Sequence, residues 1–506
     1  MLGILILLSF AAMAIIGPLV TPYSPTKIEP VAGSLAAPFW LRYFPGGGRL
    51  SENIDVIANP GFETPDALKE WNFTMSSTGQ SIFIQSVSSM GEPYGSGPGC
   101  LAVTFKRDEI GEEECGTIPF YLTKEFNFSY EGPPKMFEGY ISLTVEGTTE
   151  LTTEGTTQMD VPVEIAVFIE TSGDEAKRYY LWSPDVGTIK NNLGEWISCK
   201  PSPEEPTSYI NSYSNKLKKR MYGAKWAEQD PVETIFNSSN LPANYVYGVE
   251  ILFKDLSSPH KSVETTVYID DLSLKIYGTS FGFLGTDLFG RDIFTQLVWG
   301  SRVSLYIGLL ASIMGIVIGL MVGLAAGYLG TIVDETLMRF TDMLLVLPTL
   351  PLLIVLVAVL GTNINNLVLL LGLLGWMGFA RVIRSQVLSI KERPFIEAAR
   401  AIGAGKTHII MRHVIPNVMS LVYVALATSV PGIIVTEASL SWLGFYDPNS
   451  MSWGRMLYDV QNTVGALENW WWVLPPGLCI AILSVSFILL GYALDEVLNP
   501  KLRVRR

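Results

Sequence analysis

Five stretches of this chain carry no charged residue at all: 2–22, 303–330, 343–380, 414–436 and 469–494. Each is long enough to cross about 30 Å of hydrocarbon as a helix, and 343–380 is long enough for most of two. The pattern therefore predicts six spans: 2–22, then helices near 301–330, 336–361, 364–386, 414–437 and 469–494. Residues 30–277 read differently. They are polar, rich in Gly, Pro, Ser and Thr, and broken into short runs. VPVEIAVFIE (161–170) and TTVYIDDLSLKIYG (265–278) alternate apolar and polar positions or are rich in β-branched residues, which predicts strands. Gly, Pro and Asn clusters separate them. Many short strands over such a length suggest an all-β sandwich or jelly roll.

Charge divides the chain in the same way. The net charge is −13. Residues 281–506 hold 15 Lys and Arg against 13 Asp and Glu, so the acidity belongs almost wholly to the polar region. That argues against nucleic acid as a ligand. Seven of the basic residues lie between Arg381 and Arg412, and KLRVRR at the end adds four. Short basic loops stay in the cytoplasm. With both segments placed inside, the spans alternate with none left over. Residues 26–300 fall outside the cell, and the uncharged loop GTNINN (361–366) also lies outside. Three N-x-[ST] tripeptides, at Asn72, Asn127 and Asn237, suit an external surface. The first apolar run has no basic residue before it and PLVTPYSP after it, which favours an uncleaved helix with a very short tail, or a later start, over a cleaved signal.

Cysteine and histidine say little. Cys100 and Cys115 are a candidate disulfide pair in an external domain, with Cys199 left over, and Cys479 sits in an apolar span. His408 and His413 are five apart, which on an α-helix puts them on different faces and argues against zinc.

One polar, basic island stands between two spans: EAARAIGAGKTHIIMRHVIPN, 397–417. Glu397 near a helix start suits the helix dipole. Ala398, Ala399, Ala401 and Gly403 are small enough to let another protein approach. Arg400, Lys406 and Arg412 supply charge for docking. The bland alternative is a solvated basic loop. Gly405-Lys406-Thr407 echoes a phosphate-binding loop, but the glycine required at position 400 is Arg400 and no strand precedes it, so no nucleotide site is expected.

This island resembles the EAA motif of ABC-transporter permeases, including the Val414-Ile415-Pro416-Asn417 that closes it. LGTDLFGRDIFTQLVWGSRVSL (284–305) resembles the stretch before the second helix of the dipeptide/oligopeptide, second-subunit branch. EASLSWLGFYDPNSMSWGRML (437–457) resembles the stretch after its fifth helix, and 470–503 its last helix and tail. The resemblance implies an ABC importer type I permease fold of six helices. It implies a coupling loop at 391–416, with Glu397, Ala398, Ala399, Gly403, Ile415 and Pro416 as ATPase-coupling residues and a short helix ending at Pro416. It also makes Gly285, Thr286, Asp287, Gly290, Arg291 and Asp292 the family motif, and Asp342 and Glu437 intramembrane acids with a structural role. The implied partners are a homologous second permease subunit, two ATP-binding subunits that carry ATP and Mg, a solute-binding protein and membrane lipid. The solute expected is a peptide or an oligosaccharide.

On this reading residues 1–25 are the first helix, 26–280 an inserted external domain and 281–506 the permease. NIDVIANPGFETPDALKEWNF (53–73) and VYIDDLSLKIYG (267–278) resemble the opening and closing strands of jelly-roll carbohydrate-binding modules. That resemblance implies a structural calcium at Glu63, Asp270 and Asp271. Trp71, Tyr94, Tyr179, Tyr180 and Trp182 are either sugar-stacking or core residues. Pro348, Pro351, Pro431 and Gly432 are candidate kinks. The alternatives are a membrane-anchored glycan-binding surface protein, for which one helix would suffice, and a membrane enzyme acting on lipid-linked sugar, for which no group of acids or histidines at one face is found.

Overall fold

A computed structural model describes residues 2–58, 60–62, 65–75, 81–87, 99–107, 116–147, 149–151, 157–159, 163–172, 176–199, 210–237, 240–254, 262–463 and 468–498. It divides into two units, 31–281 and the remainder, 1–30 with 282–506. The chain begins with helix α1 (Leu2–Val20), uncharged along its length and mostly exposed.

The inserted unit is built from antiparallel strands. These are β1 (Ile54–Asp55), β2 (Asn72–Met75), β3 (Ser81–Val87), β4 (Cys100–Arg107), β5 (Thr117–Phe128), β6 (Met136–Gly147), β7 (Thr149–Leu151), β8 (Thr157–Met159), β9 (Val163–Thr171), β10 (Arg178–Trp182), β11 (Ile197–Ser198), β12 (Ile210–Asn211), β13 (Ala243–Lys254) and β14 (Val263–Tyr277). Short helices α2 (Val186–Asn191), α3 (Asn215–Tyr222) and α4 (Pro231–Ile235) lie between them. One sheet runs β11-β6-β14-β4-β3 and the other β10-β9-β13-β5-β2. Alternation along β5 and β9 turns every second side chain inward. The two inner faces share one core, where Phe105 of β4 stacks on Phe253 of β13 at 5.4 Å. Trp71 and Trp182 are buried in that core, Tyr179 packs against it, and Tyr180 is exposed. Tyr94 lies outside the described residues.

Asp270 and Asp271 lie together where the β14–β6 register shifts, and both are buried. Asp270 Oδ1 accepts from the Asp271 N–H at 2.7 Å. Glu63 lies outside the described residues, and among those described no three potential metal ligands gather.

Cys100 is a buried free thiol, and burial raises its pKa to about 11. Cys115 lies outside the described residues. Because the thiolate is the nucleophile, maleimide at pH 7 is expected to leave Cys100 unmodified in the folded chain and to label it once the chain is denatured without reductant. Mass spectrometry of the labelled peptides reads both results.

The second unit continues with α5 (Ile293–Leu329), α6 (Thr331–Val346), α7 (Thr349–Leu360), α8 (Ile364–Gly375), α9 (Met377–Lys391), α10 (Pro394–Ala401), α11 (Lys406–Ile409), α12 (Ile415–Trp442), α13 (Trp453–Gln461) and α14 (Trp470–Leu498). Among the described residues five helices are long and apolar enough to cross a membrane, with α8 and α9 taken as one. The α6–α7 pair is a further candidate, but it is bent by 87° and is not the single straight span that 336–361 predicts. The break follows from Pro348. Leu347, before it, is extended at φ −70°, ψ 132°, the conformation a following proline imposes. Pro431, by contrast, is accommodated inside α12 without ending it.

At 37 residues, α5 is about 55 Å long. It packs along α8 and α9 through a row of glycines. A Cβ at Gly319 would lie 2.8 Å from the Trp376 carbonyl oxygen, and one at Gly323 2.7 Å from that of Ala380. Without an aqueous hydrophobic drive between spans, such backbone-to-backbone approach supplies dispersion contact that larger residues forbid. The sequence reading treats this stretch only as apolar. The spacing of four is visible there, but which neighbour it meets is not.

Candidate functional site

Pro394 opens α10 at a position where its missing N–H costs nothing. Glu397 follows in the first turn, facing the positive end of the helix dipole. Ile396 and Ala399 point inward and are buried with Leu324 and Tyr328 of α5, Ile383 and Val387 of α9, Ile409 of α11 and Val418 of α12. The opposite face is bare: Glu397, Ala398, Arg400, Ala401 and Gly403 are exposed. The helix ends with Gly403 at φ +89°, a left-handed turn in which the Gly403 N–H donates to the Arg400 carbonyl at 3.0 Å and the Ala404 N–H to that of Ala399 at 3.1 Å.

Three sequence expectations change here. Ala399 is 8% exposed and belongs to the anchoring face. Pro416 does not end a short helix: Ile415 is half-buried, Pro416 is exposed, and both open α12. His408 and His413 are neighbours, with ring centroids 6.2 Å apart. The cause is a π-helical turn at Ile410–Val414, whose wider pitch returns positions five apart to one side. The sequence reading also passes over Phe395, Ile402 and Met411, which are 45%, 87% and 65% exposed on this segment. A large apolar Ile402 directly before Gly403 in a polar segment is the available signal.

The stretch 285–292 folds on itself as a polar knot. Asp287 Oδ1 accepts from the N–H groups of Phe289 and Arg291, both at 2.9 Å. Its Oδ2 accepts from Arg291 Nε at 2.7 Å and Gln296 Nε2 at 2.8 Å. Arg291 Nη2 reaches Asp459 of α13 at 3.3 Å. Gly285 and Gly290 take φ of +75° and +73° to close the turns, and Thr286 is wholly buried. Asp292 caps α5, its Oδ2 accepting from the Thr295 N–H at 2.8 Å. Burial raises the carboxyls of Asp292 and Asp459 above the usual range. Asp287→Ala would remove the closer of the two carboxylates that pair with buried Arg291, leaving only Asp459 at 3.3 Å, and would strip Gln296 Nε2 of its acceptor. We expect it to destabilise this unit by about 3–5 kcal/mol, read as a lower unfolding temperature in detergent.

Glu437 is buried on α12. Its Oε1 accepts from Ser441 at 2.8 Å and from Ser452, the cap of α13, at 2.7 Å. Trp453 follows, with Nε1 donating to the Leu297 carbonyl at 3.0 Å. Glu437 therefore sits in an internal polar junction. Asp342 is placed differently: it is exposed and ion-paired to Arg381 of α9, while Asp334 pairs with Arg384 at 2.7 Å one turn along.

Fold and site together define a multi-pass membrane protein with a short helix, exposed on one face, fastened to its spans. Residues 315–504 match the family described as binding-protein-dependent transport system inner membrane component. The dipeptide transport system permease protein DppC of Bacillus subtilis is 34% identical over 247 residues, covering 49% of this chain and 76% of that protein. The oligopeptide transport system permease protein OppC of Haemophilus influenzae is 36% identical over 223 residues, 44% of this chain and 71% of that protein. OppC of Bacillus subtilis is likewise 36% identical, over 224 residues, 44% and 72%. This chain belongs to that family and is a membrane-embedded permease subunit of an ATP-driven ABC importer. The reading as an anchored glycan-binding protein is thereby set aside.

Proposed function

We propose that this subunit imports peptides across the cytoplasmic membrane. The relatives named above are dipeptide and oligopeptide permeases, which favours peptides over oligosaccharides. On this reading the pathway is completed by a homologous second permease subunit, the solute arrives on a separate binding protein, and two ATP-binding subunits supply the energy. The broken pair α6–α7 counts as one span, giving six. Residues 31–281, a jelly-roll-like module, lie outside the cell, and the 391–416 loop and the C-terminus lie in the cytoplasm.

The observation that carries the proposal is the two-faced α10. One face, through Ile396 and Ala399, is fixed to the ends of α5, α9 and α12, while the other presents Glu397, Ala398, Ile402 and Gly403 to solvent. A helix held that way transmits displacement to the spans as a rigid piece, because packed interiors resist compression. The test is uptake into vesicles reconstituted with the copurified complex. Radiolabelled tripeptides are expected to accumulate only with ATP and binding protein, and a malto-oligosaccharide is not. Uptake of the sugar alone would overturn the peptide assignment.

A further inference from the structure

At the head of α5 lies a cleft of about 740 Å3, lined among others by Thr21, Tyr23, Trp299, Arg302, Tyr306 and Ser450. It sits wholly within the helical unit. Arg302 is exposed, and among the described residues it has no ion-pair or hydrogen-bond partner. Asp447 is the acid nearest in sequence to the lining residues 449–451. Its oxygens accept from the backbone N–H groups of Ile364 and Asn449, at 3.3 and 2.9 Å. Tyr306 donates its hydroxyl to Asn365 Oδ1 at 3.2 Å.

Position along the helix matters as much as charge. The 27 residues after Arg302, 303–329, carry no charge. Arg302 therefore stands at one edge of the apolar segment, where guanidinium and aromatic side chains meet the headgroup layer. At about 100° per residue, Arg302, Tyr306, Leu310, Ile313, Val317 and Met321 share one side of α5. The last five are 44%, 40%, 44%, 46% and 59% exposed. An unpaired cation thus heads a continuous bare apolar strip.

We propose that this cleft binds the phosphate headgroup of a membrane phospholipid, with Arg302 as its ligand and the strip from Tyr306 to Met321 as the seat of an acyl chain. The guanidinium fork matches phosphate oxygens bidentately, and the low-dielectric surroundings strengthen the pairing. A free anion, such as inorganic phosphate or a peptide carboxylate, would satisfy Arg302 but leave the strip unused.

The experiment takes the full chain in its copurified complex, delipidates it in mild detergent and counts bound molecules by native mass spectrometry. The probes are phosphatidylglycerol, a diacylglycerol glycolipid without phosphate, inorganic phosphate and a tripeptide. Phosphatidylglycerol is expected to be retained by the wild type. Its retention should fall about tenfold or more in Arg302→Gln, partly recover in Arg302→Lys, and resist millimolar phosphate. The unfolding temperature of the lipid-free variant should match wild type, since Arg302 is exposed and unpaired. Equal retention in Arg302→Gln, equal retention of the phosphate-free lipid, or displacement by phosphate or tripeptide would each overturn the proposal. The peptide-import reading is tested separately by uptake and does not depend on this result.

Discussion

Replacing Ile402 with glutamate, or Glu397 with arginine, is expected to lower ATP-driven uptake about thirtyfold while leaving the chain folded and inserted. The magnitude is that of one docking hot spot of about 2 kcal/mol. The selectivity follows from exposure: Ile402 is 87% exposed and Glu397 has solvent on its side of α10, so neither change disturbs packing within the chain. The result to look for is a paired loss, in which uptake falls together with substrate-stimulated ATP hydrolysis and with copurification of the ATP-binding subunits. Gly403→Ala separates strain from docking. No atom lies within 4 Å of a Cβ there, so its intrinsic cost is only the left-handed backbone, about 1–2 kcal/mol. If Ile402→Glu transports normally, α10 is not the site of coupling.

The second large effect is expected inside the bundle. Gly323→Leu is expected to destabilise the helical unit by about 3 kcal/mol or more, because its first added carbon would meet the Ala380 carbonyl oxygen and Ile383 Cβ, both at 2.7 Å. Neither atom can swing away, since one is backbone and the other is fixed to it. Size-exclusion profiles in detergent should show the variant aggregated or absent. Gly378→Ala is the matched control: nothing lies within 4 Å of its Cβ, and alanine favours the helix by about 1 kcal/mol, so stability should hold or rise. A normal profile for Gly323→Leu would mean that α5 and α9 do not meet there.

Hydrophobic patterning carries far in this protein because lipid is a simple solvent. A span must satisfy its own backbone hydrogen bonds and needs about 20 apolar residues to do so, and both requirements are written locally. Hence α1, α5, α12 and α14 coincide with apolar stretches read directly from the chain. The segment that forms α10 was legible too, with Glu397, Ala398 and Gly403 in it, because a polar, basic island between two apolar stretches is a property of consecutive residues.

What remained hidden depends on neighbours distant in sequence. The sequence named Asp287 and Arg291 but gave no sign that Asp459, 168 residues on, would join them. It named Glu437 without Ser452 as its donor. It set His408 and His413 apart because an α-helical period was assumed, and a single π turn reversed that. It counted Ala399 among the docking residues, yet only packing on Tyr328 and Val387 decides which side of α10 faces in. The sequence by itself determined where the chain is apolar, where it is basic and which family motifs it bears, since each is a property of consecutive residues. The tertiary structure alone decided which polar groups pair, which glycines admit a neighbouring backbone and which face of α10 is free, because those depend on contacts between segments that no local pattern encodes.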